Sequence, residues 1–187
     1  PDTSFKGEFV DSWEVGAKTS WFGNSLLLNA ALFHQTFKDF QLNTFVGTAF
    51  VVETIPEVIS RGVDMDFIYV PQIDGLTFQG GVTYAETEIS PFVAGDLINP
   101  SRFTSLRRLP GAQLSFAPRW SASLAGTYER DVLDGLKFKS NVSAKYTSRY
   151  NTGSDLHPSK EQDAMVLVNA RVGLSTADEA WTVELWA

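Results

Sequence analysis

The sequence predicts an all-β chain, an antiparallel meander of about eight long strands forming a section of a large transmembrane β-barrel. Three observations predict it. Long segments alternate apolar and polar residues with period two. The connections between them alternate between short and long. Large aromatic residues mark both ends of several apolar faces, the members of each pair standing eight positions apart.

The first strand, about Ser12 to Phe22, contains "WEVGAKTSW", with Trp13, Val15, Ala17, Thr19 and Trp21 on one face. Its Gly-Ala-Lys-Thr-Ser is no phosphate loop: Ala17 separates Gly16 from Lys18, the upstream Gly is missing, and no helix pattern follows. Gly23-Asn24 is a tight-turn signal. The second strand sets Leu26, Leu28, Ala30 and Leu32 against Asn29, Ala31, Phe33 and Gln35. The third places Ile59, Arg61, Val63, Met65, Phe67 and Tyr69 on one face and Ser60, Gly62, Asp64 and Asp66 on the other. Pro71 to Gly75 turn the chain into a fourth strand bearing Leu76, Phe78, Gly80, Val82 and Tyr84.

The fifth strand carries Trp120, Ala122, Leu124, Gly126 and Tyr128. After Asp134-Gly135, the sixth carries Leu136, Phe138, Val142, Ala144 and Tyr146. The seventh runs from Ala164 to Leu174, and the eighth begins at Trp181. Links after the first, third, fifth and seventh strands are short. Those after the second, fourth and sixth are expected to be longer, the longest spanning Ile89 to Arg119. In a meander this places all short links at one end, as the periplasmic turns and extracellular loops of outer-membrane barrels require. The longest link is therefore expected to be extracellular.

A soluble sandwich also alternates, but its strands usually run about five or six residues, and mid-strand Gly80, Gly126 and Ala144 fill a core poorly. The aromatic pairs decide for lipid. Trp13 and Trp21, Trp120 and Tyr128, and Phe138 and Tyr146 stand roughly 20 Å apart at about 3.3 Å per residue and 40° tilt. An apolar band about 25 Å tall between two aromatic girdles predicts that spacing. Trp13, Trp21, Tyr84, Trp120, Tyr128, Phe138, Tyr146 and Trp181 are the expected lipid-interface aromatics, and outer-membrane lipid the expected surrounding.

Composition sets further bounds. The 187 residues carry a net charge of -7 and no Cys; with a pI near 4.8, nucleic acid is not an expected partner. No apolar run approaches the ~18 residues of a transmembrane helix. The chain begins at Pro1 and stops at Ala187 within an alternating segment, so a piece cut at both ends is expected.

Chemical candidates are few. Asp64 and Asp66, and Glu86 and Glu88, read as solvated carboxylates in the lumen or at its rim. His34 reads as interfacial; Asp155 and His157, in "NTGSDLHPSKEQ", are the one loop pair suited to a weak metal site, though solvation is the expected state. Arg107 and Arg108 in the longest loop are the candidate contacts for an anionic ligand or lipopolysaccharide phosphate, with ordinary loop solvation the favoured state. Asn141-Val142-Ser143 matches a glycosylation sequon but lies inside a strand. No nucleophile stands at a credible spacing from a base, so no catalytic, cofactor or metal site is expected.

The stretches "SWEVGAKTSWFGNSLLLNAALFHQTFKDFQL", "SRGVDMDFIYVPQIDGLTFQGGVTYAETE" and "LPGAQLSFAPRWSASLAGTYERD", then "LVNARVGL" and "WTVELWA", resemble the TonB-dependent outer-membrane receptors. The resemblance covers nearly the whole chain in order. It implies a late part of a barrel of about 22 strands with a plugged lumen. It also implies uptake of a scarce nutrient such as a ferric siderophore, cobalamin or a sugar, energised through TonB. The plug domain, the TonB-contacting segment and the remaining strands would then lie outside residues 1–187. Two other readings stay open: a complete eight-stranded barrel with a structural or adhesion role, and a soluble lipocalin-like module. Long or charged groups expected inside (Lys137, Lys139, Lys145, Asp64, Asp66, Gln79, Glu129 and Arg171) are costly to bury in a closed small barrel. The sheet is therefore expected to be open, with the Ser12 and Trp181 strands as unpaired edges.

Overall fold

Alternation builds the expected meander. The structure is a computed structural model that describes residues 7–46, 49–97, 100, 103–133 and 135–187. Strands β1 (Phe9–Trp21), β2 (Leu26–Val46), β3 (Ala49–Tyr69), β4 (Leu76–Ile89), β5 (Trp120–Leu133) and β6 (Leu136–Thr147) come first. The short β7 (Tyr150–Asn151) and β8 (Glu161–Gln162), then β9 (Met165–Thr176) and β10 (Thr182–Trp186), complete the set. Eight of them form one antiparallel sheet in the order β1-β2-β3-β4-β5-β6-β9-β10; β7 and β8 pair separately. The sheet is open: β1 and β10 are its edges, and among the described residues no ladder joins them.

Three of the four tight turns follow their residues. Gly23 and Asn24 both have positive φ, as does Gly75 at 80°. A Cβ on Gly75 would stand 1.6 Å from the Glu129 carbonyl oxygen, so only glycine fits that turn. Gly135 has φ 76°, whereas Asp134 lies outside the described residues. The last turn is pinned by Trp181, just ahead of β10, whose carbonyl accepts from the Thr176 N–H at 3.1 Å and whose N–H donates to the Thr176 hydroxyl at 3.3 Å.

One expectation is corrected. The link after the second strand is not a long loop, because β2 and β3 run on as one hairpin arm to Val46 opposite Ala49. Two residues hide this arm from period-two reading. Asp39 takes φ 53° and faces Pro56, which has no N–H to donate; pairing is absent there and resumes in unchanged register at Phe40 and Ile55. Across that point the buried face changes phase: Phe37 below it and Phe40 and Leu42 above it pack into one cluster.

That cluster is the core. Leu42, Ile55, Val58, Ile89, Phe92, Leu97, Leu106 and Leu109 are buried together. They join the hairpin arm to the connection after β4, which carries a one-turn helix, α1 (Phe103–Leu106), and lies over the upper sheet as a strap. The rest of the sheet has no such layer, and its large side chains stay exposed.

Candidate functional site

The apolar face reads across the ladders in rows. One row joins Trp13, His34, Arg61 and Glu86; the next joins Val15, Leu32, Val63, Tyr84 and Trp120; the third continues through Ala17, Ala30, Met65, Val82 and Ala122 to Tyr146. The upper aromatics therefore step down one row from β1 to β5, and one more to β6. The lower ones do the same, from Trp21 to Tyr128 to Phe138. Each pair stays eight residues apart on its own strand while slipping in register. Tilted strands crossing a flat slab need that stagger.

Local contacts fix both belts. Trp13 stacks on His34 at 5.5 Å and 13°, which places that histidine beside the upper belt. Tyr84 meets Trp120 at 4.8 Å, and Tyr128 meets Phe138 at 6.3 Å. Between the belts this face carries no charged side chain among the described residues. Gly80 and Gly126 there lie under the rings of Phe67 and Phe78. Charge begins at the upper rim, where Arg61 donates to Glu86 at 2.9 Å and approaches Glu88 at 3.9 Å. Glu86 and Glu88 are thus rim carboxylates in an ion pair.

The opposite face is polar. Asp66 accepts from Asn29 at 2.9 Å, Asp64 accepts from Thr83, and Asn141 donates to Thr127 at 2.9 Å. Lys139 pairs with Glu179 at 2.7 Å, and Arg171 lies 3.8 Å from Glu184. Gln79 and Lys145 line one shallow depression of this face with Asp66. Close approach shapes it too: a Cβ on Gly62 would stand 1.9 Å from the Tyr84 carbonyl oxygen.

Above the belts, three segments meet as a cap: the hairpin arm, the strap and the β7–β8 loop. Gln113 ties the strap to β4. Its Oε1 accepts from the Thr87 N–H at 3.2 Å, and its Nε2 donates to the Ala117 carbonyl at 2.9 Å. The Ile89 and Leu114 N–H groups add bonds to Ala112 and Thr87. The β7–β8 loop joins through Ser154, which donates to Thr44 at 3.0 Å, and through Asn151, which accepts from the Phe116 N–H at 2.8 Å.

Arg107 and Arg108 follow buried Leu106 and precede buried Leu109, so the backbone under them is anchored while Arg107 is exposed and Arg108 half-buried. Neither meets a carboxylate among the described residues. Asp155 and His157 are used locally. Asp155 accepts from Lys160 at 2.9 Å, and the His157 Nδ1 contacts the Ser159 hydroxyl at 2.7 Å. Burial alone would raise the Asp155 carboxyl, but hydrogen bonds from Lys160 and the His157 N–H hold it below its ordinary value. Among the described residues no group of three or more His, Asp or Glu side chains converges as a metal site would require.

Sequence reasoning missed the arm, the strap's core and Gln113. Phe92, Leu97, Leu106 and Leu109 were the available signal, apolar residues within the longest link.

A family model described as "TonB dependent receptor-like, beta-barrel" matches residues 1–187. No curated protein matches the chain. Among solved structures, the ferric yersiniabactin uptake receptor FyuA from Yersinia pestis superposes with a TM-score of 0.73 at 14% identity, covering 96% of this chain and 24% of its own. The ferric preacinetobactin receptor BauA from Acinetobacter baumannii gives 0.66 at 17%, covering 94% and 24%. The ferric-catecholate import receptor Fiu from E. coli K12 gives 0.60 at 20%, covering 92% and 22%. The likeness is one of fold, and the chain spans about a quarter of each receptor's length.

Proposed function

The chain belongs to the TonB-dependent receptor-like β-barrel family, and we propose that it forms part of the barrel wall of an outer-membrane receptor. That receptor takes up a scarce nutrient such as a ferric siderophore, with energy passed through TonB. One observation carries the membrane part of this reading: two aromatic belts that cut across the register and hold a constant separation. Lipid contacts the face between them, and Trp13, Trp21, Tyr84, Trp120, Tyr128, Phe138, Tyr146 and Trp181 stand at its interfaces.

The open edges support a larger barrel, since β1 and β10 leave backbone groups that further strands would pair. In this reading residues 1–187 are one section of the barrel domain. The polar face with Lys145, Lys137 and Glu14 lines the lumen against a plug domain outside this section. The cap is extracellular, and Arg107 and Arg108 offer guanidinium groups to an anionic ligand. The ferric chelates named for FyuA, BauA and Fiu give the substrate class its support. Nucleic acid stays outside the proposal, given the net charge of -7.

The test is uptake of radiolabelled iron from a panel of ferric chelates by cells carrying the full-length receptor. Accumulation that needs both the receptor and TonB is the expected result. Equal uptake in cells lacking TonB would overturn the energised-transport reading.

A further inference from the structure

The two ends of the lipid-facing side differ in charge. At the upper rim Lys38 pairs with Asp11 and Arg61 with Glu86, both at 2.9 Å, so these two cations are already matched by carboxylates. At the lower belt the same side carries one charged side chain among the described residues, Arg130. It follows Tyr128 by two positions and stands opposite Phe138 in the β5–β6 ladder, and those two rings lie 6.3 Å apart. Arg130 is exposed and enters no ion pair among the described residues. Its guanidinium is within hydrogen-bond reach of the Tyr128 hydroxyl, and the Asp74 carboxylate of the β3–β4 turn acts on it through space without bonding to it.

A full charge at the edge of a hydrocarbon layer is tolerated by reaching into the headgroup zone, as long Arg side chains do. The guanidinium is a planar fork of five N–H donors that matches two oxygens of a phosphate. A phenol oxygen that takes one of those donors keeps its own O–H free to donate. Unmatched charge and convergent donors thus stand together at the lower row of rings, where headgroups begin.

We propose that Arg130 and Tyr128 bind the phosphodiester of a phospholipid in the periplasmic leaflet, two guanidinium N–H groups and the phenol O–H meeting its unesterified oxygens. Lys38 and Arg61, held by carboxylates, take no such ligand. The site rests on the lipid-facing reading of this side, with the short turns in the periplasm, and adds one fixed lipid to it.

The full-length receptor, isotope-labelled in arginine, is folded into vesicles of phosphatidylethanolamine and phosphatidylglycerol. Magic-angle-spinning NMR then reads dephasing of the guanidinium carbons by lipid phosphorus. Such vesicles offer phosphates at both rims, so the upper rim is an internal control. Arg130→Gln should remove one dephased signal, whereas Arg61→Gln should remove none. Arg130 is exposed, so its variant keeps the fold. No loss in Arg130→Gln, or an equal loss in Arg61→Gln, would overturn the proposal. So would the same dephasing by inorganic phosphate in receptor sedimented from maltoside, which would assign the site to a free anion. Fluorescence quenching of the belt tryptophans by brominated lipid separates this proposal from the reading beneath it. Quenching without the Arg130 contact would refute the phosphate site and keep the lipid-facing side; no quenching would refute both.

Discussion

The wall and the cap are made from the same strands but are stabilised in opposite ways. In the wall, β1 to β6 and β9 hold each other by backbone ladders, and Val15, Leu124, Val142 and Val168 stay more than half exposed. In the cap, the upper halves of β2 and β3 enclose Ile55, Val58, Leu106 and Leu109 with almost no exposure. The wall lacks a core because its proposed solvent is already apolar. Lipid needs only that every backbone group be paired. On the same proposal the cap stands in water, where folding gains by hiding hydrocarbon. One sequence thus answers two solvents along a single pair of strands.

Breaking the cap should cost most. Leu106→Ala removes a fully buried side chain and should destabilise the cap by about 2–5 kcal/mol. Hydrogen exchange within 89–119 should rise while the wall amides stay protected. Equal loosening of both regions would mean that cap and wall unfold as one unit. A slightly smaller effect is expected from the wall. Leu124→Arg, between the belts, should cost roughly 2–4 kcal/mol in lipid, measured by urea titration of the vesicle-folded receptor. Unchanged stability would place Leu124 away from the membrane.

The smallest effect sharpens the boundary inside the cap. Asp155 has a lowered carboxyl value in the folded loop, so its contribution is fully present above the ordinary value near 3.8. It is lost only as pH falls through the lower folded value. Local exchange at residues 150–162 should therefore rise in acid, and Asp155→Asn should remove that response. A loop insensitive to acid would mean that Ser154 and Thr44 alone hold it.

Much of the wall was legible because it obeys a local rule. Period two, the turns at Gly23-Asn24 and Gly75, and the belt residues can each be read without knowing what lies across the sheet. The open edges were legible too, from charged residues such as Lys145 and Arg171 that a small closed lumen could not accept. The cap obeys no local rule. Pro56 argues against a strand until Asp39 is seen opposite it, and the spacing of Phe92, Leu97, Leu106 and Leu109 matches no helix or strand. Gln113 matters through four hydrogen bonds to atoms at Ala85, Thr87, Ala117 and Arg119, and nothing in the sequence marks it.

On the proposed lipid-facing reading, the constant separation of the belts also sets a preferred bilayer thickness. Eight residues of tilted strand give roughly 20 Å between ring rows, whereas an average hydrocarbon layer is about 30 Å. Spread over several strands, a mismatch costing fractions of a kcal/mol per ångström becomes a sorting force. A thick, sterol-rich bilayer would have to pinch around this sheet. The bacterial outer membrane, thinner than average, would need the least deformation, so the tryptophans act as a gauge matching the protein to its host membrane.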